Sequence, residues 1–333
     1  MKLCSFNVGK QHRIGVLMPN GLVADCNYGY AAYLKNIAFP KPQQMADVLV
    51  PPRMIGLIES GKEGLDAMKK TIAFLDENPT AAGPELEQIF YEQDEIHFKA
   101  PVPDPEKIFC TAINNKFEFE RCTKPEGEDH VLYFNKVNTC LCGAYDPIEI
   151  PDIGIAGTEV EMVFVVAKEG KFVPREKARD FIFGFTVHND VTAFTLRINR
   201  EWIICNNGEG NSEKVTYPGR YKCFDTFSPM GPWLVTVDEL PIDEAFNQTM
   251  QAYLNGQLVQ DGSTSEMLFQ VDALIPYLSE AHTLKPGDLV STGTVISYAG
   301  AEFDNIDLRA AAGGVLESKI ERIGIMKNPI KAI

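Results

Sequence analysis

The chain has 333 residues, 45% hydrophobic and 23% charged, which describes an ordinary soluble globular protein with ample length for a real core. It carries 46 acidic against 31 basic residues, a formal charge of −15. A field of that sign repels nucleic acid and anionic membranes, so neither is an expected partner, and an anionic ligand would need local cations or a metal to draw it in.

The amino-terminal run Met1 to Asn7 has no apolar leader pattern, and no window approaches a membrane span, so the expected location is the cytoplasm. Arg13-Ile14-Gly15-Val16-Leu17-Met18 and Leu22-Val23-Ala24-Asp25 flank Pro19-Asn20-Gly21, a strong hairpin signal. Ser60 to Glu63 reads as a capping box, and Leu65, Met68, Ile72 and Leu75 then recur at helical spacing until Asn78-Pro79. Three prolines at 101, 103 and 105 stiffen the chain, and the domain boundary is placed there, between an N-terminal α+β domain (1–100) and a second domain (105–330). Beyond it, β-like runs at 107–112, 159–167, 182–189, 233–237, 251–254 and 289–292 are separated by glycine- and proline-rich turns, with one helix expected at 271–280. No Gly-x-Gly-x-x-Gly follows a strand and there is no Walker loop, which removes the main support for a nucleotide-binding reading. The eight cysteines are scattered and the five histidines stand far apart, so reduced thiols are expected and structural zinc is not.

The most informative stretch is Gly157-Thr158-Glu159-Val160-Glu161-Met162-Val163. Strand side chains alternate between faces, so Glu159 and Glu161 share one, roughly 7 Å apart. Two buried like charges call for a counter-ion, and a bound cation is the economical one; a half-exposed strand with its polar face in water is the bland alternative. Asp190, at the end of Gly184 to Asn189, is either a third oxygen ligand or a turn cap after the strand. Three such donors select Mg, Mn or Ca over zinc.

Together these motifs resemble the fumarylacetoacetate hydrolase family. The resemblance includes Lys107-Ile108-Phe109-Cys110, the paired glutamates, Thr186 to Thr192, and Cys223-Phe224-Asp225-Thr226-Phe227-Ser228-Pro229-Met230-Gly231. It continues through Asn255 to Met267, Leu284-Lys285-Pro286-Gly287-Asp288 and Thr292-Gly293-Thr294, in order from 105 to 300. It implies an α+β, β-rich fold: a mixed β-sheet roll as catalytic domain, a small N-terminal α+β domain, and usually a homodimer. It further implies that Glu159, Glu161 and Asp190 hold Mg2+ or Mn2+, with Ca2+ an alternative, and that the remaining positions take water and the oxygens of a 2-oxo acid or 1,3-diketone. Lys136 and Lys222 match family lysines that balance substrate or oxyanion charge, and Thr294 in the Gly-Thr turn is a carboxylate-binding candidate.

Two departures stand out. The family's Asn-Tyr-x-x-His-x-x-Glu run reads here Asn114-Asn115-Lys116-Phe117-Glu118-Phe119-Glu120-Arg121, so Glu118 occupies the histidine slot and Arg121 the glutamate slot. After Asp190, Phe194 stands where the family often has arginine, and Arg197 is at the glutamine position, a substrate-binding candidate. Glu118 is the first candidate base. His188, two residues before Asp190, is the second if it is not simply a satisfied core imidazole, and His130, at the end of the stretch 125–130, is a third. Residues 199–221 read as a long link with an exposed loop at 206–211 that covers the site or a dimer contact.

The expected activity is metal-dependent hydrolysis of a C–C bond in a 1,3-diketone or acylpyruvate-like acid. A 2-oxo acid decarboxylase, hydratase or isomerase on the same scaffold, or a ligand-binding protein without turnover, are the alternatives.

Overall fold

The structure is a computed structural model that describes the chain apart from residues 123–129, 207, 209, 211 and 296–305. The chain opens with β1 (Lys2–Val8), β2 (Gln11–Leu17) and β3 (Val23–Asp25), then four helices, α1 (Cys26–Asn36), α2 (Pro42–Leu49), α3 (Met54–Glu59) and α4 (Gly61–Glu77). After β4 (Phe90–Tyr91) and β5 (His97–Phe98) come β6 (Ile108–Ala112), the single turn α5 (Lys116–Phe119), β7 (Leu132–Lys136), β8 (Leu141–Gly143), β9 (Ile148–Ile150), β10 (Val160–Val166) and β11 (Ile182–Asn189). The rest comprises β12 (Ile203–Asn206), β13 (Ser212–Val215), β14 (Ser228–Thr236), α6 (Ile242–Ala245), β15 (Thr249–Leu254), β16 (Gln257–Ser263), α7 (Val271–Ala281), β17 (Leu289–Thr294), β18 (Val315–Ile320) and β19 (Gly324–Ala332).

The strands form a mixed α+β, β-rich architecture. A twelve-stranded sheet runs β4-β3-β2-β1-β14-β11-β10-β17-β6-β7, with β5 on β1 and β8 on β14. A five-stranded sheet runs β16-β15-β18-β19-β9, and β12 and β13 make a separate ribbon. Parallel pairs (β17 with β6, β14 with β8, β19 with β9) sit among antiparallel ones.

The large sheet is buried on both faces. Leu3, Ile14, Val16, Val163, Val165, Leu234 and Leu289 face helices α1 to α4 through Leu34, Met54, Leu57, Met68 and Leu75. Phe6, Phe109, Met162, Phe164, Phe185 and Val235 pack with Met250, Ala252, Ile320 and Met326 of the second sheet and with Leu274 and Leu278 of α7. Alternation along β10, with Met162 and Phe164 on one side and Val163 and Val165 on the other, divides its side chains between these two cores. β1 pairs with β14 through Lys2↔Val235 and Leu3↔Leu234, so one sheet spans both sides of the 101–105 proline stretch. That stretch is itself tied in, with Ser5 Oγ donating to Pro101 O at 2.6 Å and Val102 buried.

The expected hairpin forms, with Leu17↔Val23 closing the turn, and β11 and α7 fall within a residue of their expected spans. The helix after Ser60 forms, but the capping box does not. Ser60 also ends α3, adopts helical φ/ψ of −69°/−8°, and donates its hydroxyl back to Leu57 O at 2.7 Å instead of accepting from α4. β14 begins at Ser228, five residues before the expected run.

Candidate active site

Glu161 lies on β10 opposite His188 of β11, and opposite Thr294 of β17 on its other side. The β10–β17 register shifts between Glu161 and Val163, next to Gly293, whose φ is +92°. A side chain there would be strained, and its Cβ would meet Asn114 Cβ at 3.1 Å. That bulge turns the Gly293 N–H onto Glu161 Oε2 at 3.2 Å, and Ser291 Oγ donates to the same oxygen at 2.5 Å. Glu159 sits just before β10. Its Oε1 accepts from Thr192 Oγ1 at 3.1 Å and its Oε2 from Lys222 Nζ at 2.7 Å, while its carbonyl accepts from Asp190 N at 2.8 Å. Asp190 follows β11 and accepts from Lys136 Nζ on Oδ1 and from Lys222 Nζ on Oδ2, each at 2.5 Å.

Glu159, Glu161 and Asp190 are therefore all buried, and each offers a ligand atom within 4.8 Å of the others. Three carboxylates face two ammonium groups. The deficit falls on Glu161, whose hydrogen-bond partners are a hydroxyl and an amide rather than a cation. Burial first, then the Asp190 and Glu159 charges, push its carboxyl up to about 8 despite Lys222. Burial would also raise Asp190, but Lys136 and Lys222 outweigh it and hold that carboxyl below its ordinary range. Burial would lower Lys222, and Asp190 and Glu159 outweigh it, so its ammonium is kept. An all-oxygen donor set with one uncompensated charge fits a hard divalent cation.

A raised carboxyl means that the folded protein retains a proton the unfolded chain has released, between the ordinary 4.5 and about 8. Metal-free stability should therefore fall as pH rises through that window, by about 1.4 kcal/mol per pH unit at most. The gain in melting temperature on adding Mn2+ should be larger at about pH 8 than at about pH 6, because protons no longer compete for Glu161. Equal gains at the two pH values would show that Glu161 is not a ligand.

A cavity of about 700 Å³ opens on the triad, lined also by Glu118, Tyr133, Phe134, Phe194, Arg197, Tyr221, Lys222 and Thr294. Glu118, on α5, is half-buried. Burial and the Glu159 charge raise its carboxyl, against Arg197 and Arg121. Asn115 caps α5 by accepting from Phe117 N and holds Glu266 through its amide, while Asn114 bonds Thr292 O and Phe269 O. These bonds fix the turn that carries Glu118 against β17. Arg197 lies in the π-helical turn Leu196–Arg200 and lines the cavity from the side of Phe194.

Two expectations are corrected by geometry. His188 is fully buried, does not line the cavity, and has both ring nitrogens engaged at 2.7 Å, with Ser291 and Ser228. Since Ser291 donates to Glu161, it accepts from His188 Nδ1–H, and Ser228 donates to Nε2. Burial above all pushes the imidazole down to about 3, so it is neutral and positions Glu161 through Ser291; it is not a base. Lys136 is likewise buried outside the cavity lining, donating to Asp190 and at 2.8 Å to Phe227 O, so it holds Asp190 from behind rather than facing the cavity. Thr294 does line the cavity, but its hydroxyl donates to Val160 O at 2.8 Å and accepts from Gln260. His130 is exposed and 125–129 lie outside the described residues. Of the 206–211 loop, 207, 209 and 211 lie outside them too; it joins the exposed ribbon β12–β13, and Thr216, Pro218 and Tyr221 beyond it reach the cavity.

The sequence reading missed the amides behind the triad. Asn189 accepts from Glu159 N and donates to Thr158 and Ser318, and Gln260 accepts from Val160 N. Gln260 and Ser291 stand in strands of mixed composition, Gln-Leu-Val-Gln-Asp-Gly-Ser and Leu-Val-Ser-Thr-Gly-Thr, and carry no local signal.

A buried carboxylate triad supported by lysines, at the edge of a cavity in a mixed sheet, is a donor set of the class that could hold a divalent metal ion. Residues 107–331 match the model of the Fumarylacetoacetate (FAA) hydrolase C-terminal domain. The chain is 33% identical over 285 residues to the oxaloacetate tautomerase fahd2, mitochondrial, of Xenopus laevis, covering 85% of this chain and 80% of that protein. It is 30% identical to the human oxaloacetate tautomerase FAHD2A, mitochondrial, with 85% and 81% covered. The fold is shared with fumarylacetoacetate hydrolase from Exiguobacterium antarcticum (TM-score 0.70, 24% identity, 100% of both chains). It is also shared with maleylpyruvate hydrolase from Sphingobium sp. SYK-6 in complex with manganese(II) and pyruvate (TM-score 0.67, 22% identity, 100% and 99% covered). This chain belongs to the fumarylacetoacetate hydrolase family. Among the described residues, no helix is long and apolar enough to cross a membrane.

Proposed function

We propose that this protein is a divalent-metal-dependent tautomerase of a 2-oxo diacid, with oxaloacetate the first substrate to test. The observation that carries the reading is the cavity's proton-transfer equipment: one half-buried carboxylate, Glu118, raised by burial and facing the triad, with no histidine lining the cavity among the described residues. Keto–enol exchange needs one group that takes a proton from C3 and returns it to the 2-oxo oxygen, with no water consumed. The relatives named above as oxaloacetate tautomerases support the same choice.

The cation held by Glu159, Glu161 and Asp190 would polarise the 2-oxo carbonyl and lower the cost of the enolate. Glu118, partly desolvated, carries the proton between C3 and oxygen. Lys222 keeps its charge beside Glu159 and Asp190 and offsets the negative field an anionic substrate must enter. Arg197 lines the cavity apart from the triad's lysines and suits the second carboxylate. Arg197→Met should raise KM for the diacid about tenfold, the worth of one charge-assisted hydrogen bond, and leave KM for a 2-oxo monoacid unchanged. Equal effects on the two substrates would remove Arg197 from recognition.

Decay of freshly dissolved enol-oxaloacetate, followed by absorbance with Mg2+ or Mn2+, tests the assignment. Acceleration above the buffer rate, lost with chelator and in Glu161→Ala, with neither carbon dioxide nor pyruvate released, is the expected result. No acceleration with either metal refutes it, and carbon dioxide release reassigns the site to a decarboxylase. A second reading, C–C hydrolysis of a longer acylpyruvate, draws on the cavity volume, which exceeds the needs of a four-carbon acid. It predicts release of two organic acids from acylpyruvates.

Eight free thiols fit a reducing compartment. The cytoplasm remains our proposed location, testable by fractionation against the mitochondrial location that the relatives' names carry.

A further inference from the structure

Beyond the triad, the cavity is walled by side chains that neither metal binding nor proton transfer requires. Leu132, Phe134 and Lys136 alternate onto one face of β7. Lys136 reaches Asp190 at the inner end of that face, Phe134 is half-buried with Lys222 Nζ 5.3 Å from its ring centre, and Leu132 is 52% exposed at the outer end. Four steps of strand span ~13 Å, so this face leads from Asp190 to solvent, and the two rungs of it that line the cavity are apolar.

A second wall is the turn after Asp190, helical from Phe194 to Arg200, which brings Phe194, Arg197 and Ile198 onto one side, all lining the cavity. Phe194 is 4% exposed and its ring is set by a glycine, since a Cβ at Gly157 would run into it. Gly157 pairs with Thr192, whose hydroxyl donates to Glu159, so the ring is fixed beside the triad. Ile198, 47% exposed, carries this wall to the rim. The nearby polar side chains of Asn114 and Thr294 donate to backbone carbonyls.

We propose that these two walls form a subsite for an apolar substituent, an alkyl chain or an aryl ring, carried on C3 of a 2-oxo acid. Phe194 and Phe134 are its inner contacts, and Leu132 and Ile198 its outer ones. The inference rests on the reading above, in which the triad end of the cavity takes the 2-oxo acid group. A water-filled entrance for a four-carbon acid needs no such lining, because apolar surface at successive depths gains only when apolar surface replaces the water against it. Arg197, on the same wall, keeps the role given above, so the substrate class becomes a 2-oxo acid or diacid extended by apolar carbon.

Calorimetric titration of the Mn2+-loaded protein with pyruvate, 2-oxobutanoate, 2-oxopentanoate, 2-oxohexanoate and phenylpyruvate reads the subsite without turnover. Affinity should rise about fourfold for each methylene added, the worth of burying one CH₂, and phenylpyruvate should bind at least about tenfold tighter than pyruvate. Phe194→Ala should cut the ratio of 2-oxohexanoate to pyruvate affinity about tenfold, and taking the ratio cancels general damage to the metal site. Leu132→Asp, at an exposed position where the core is undisturbed, should lower the same ratio about threefold and keeps the test decisive if the first variant misfolds. Binding by none of the acids, an affinity that is flat along the series, or a series as steep as before in Leu132→Asp and in folded Phe194→Ala overturns the subsite. Because binding is read apart from the reaction, the two readings separate. A steep series without acceleration of enol decay keeps the subsite and refutes the tautomerase, while a flat series with enol decay accelerated removes the subsite alone.

Discussion

Asp190→Asn and Glu161→Gln are expected to act oppositely on the metal-free protein, although each removes one charge from the same triad. Asp190 is the shared partner of two buried lysines, and its loss leaves both with less compensation. Breaking such a buried pair costs about 3–5 kcal/mol. Among the described residues the donors to Glu161 are Ser291 and Gly293, and its charge is already disfavoured by burial. Glutamine there should leave stability at neutral pH unchanged or raise it by about 1 kcal/mol. Both variants should lose manganese affinity by more than the ~10–100-fold that supporting partners are worth. Urea unfolding in chelator and calorimetric titration with manganese check the pair. Equal destabilisation would mean that Glu161 has a compensating cation.

Glu118→Gln is expected to lower kcat by ~10²–10⁴, the range for losing a positioned proton carrier, with manganese affinity intact because Glu118 is outside the triad. Single-turnover enol decay alongside metal titration separates the two effects. An unchanged rate would exclude Glu118. His188 would not inherit the role, since the serines on either side occupy both its nitrogens.

The glutamate pair of the triad was legible because alternation in a strand is a strict geometric rule: two glutamates two residues apart must share a face, whatever the fold. Their supports were not. Ser291 meets Glu161 across 130 residues of chain and Gln260 meets Val160 across 100, and neither carries any local signature of its partner. Lys136 and Lys222 matched family positions, but only the geometry separated a lysine at the cavity from one behind Asp190. β14 was read late for the opposite reason. Ser228-Pro229-Met230-Gly231-Pro232 has the composition of a turn, yet its backbone is held between β11 and β8, where tertiary pairing overrides propensity. Ser60 failed as a cap because a second helix ended on it.

The pairing of β1 with β14 also bears on how the protein is made. Lys2 pairs with Val235, so β1 cannot complete this edge until more than two hundred further residues have been synthesised. At typical elongation speeds that is a wait on the order of ten to fifty seconds, during which the hairpin β1–β2 presents an open, apolar border to any neighbouring nascent chain. The centre of the large sheet therefore cannot close until residues 228–236 have been made, and until then the β1–β2 hairpin is exposed to mispairing.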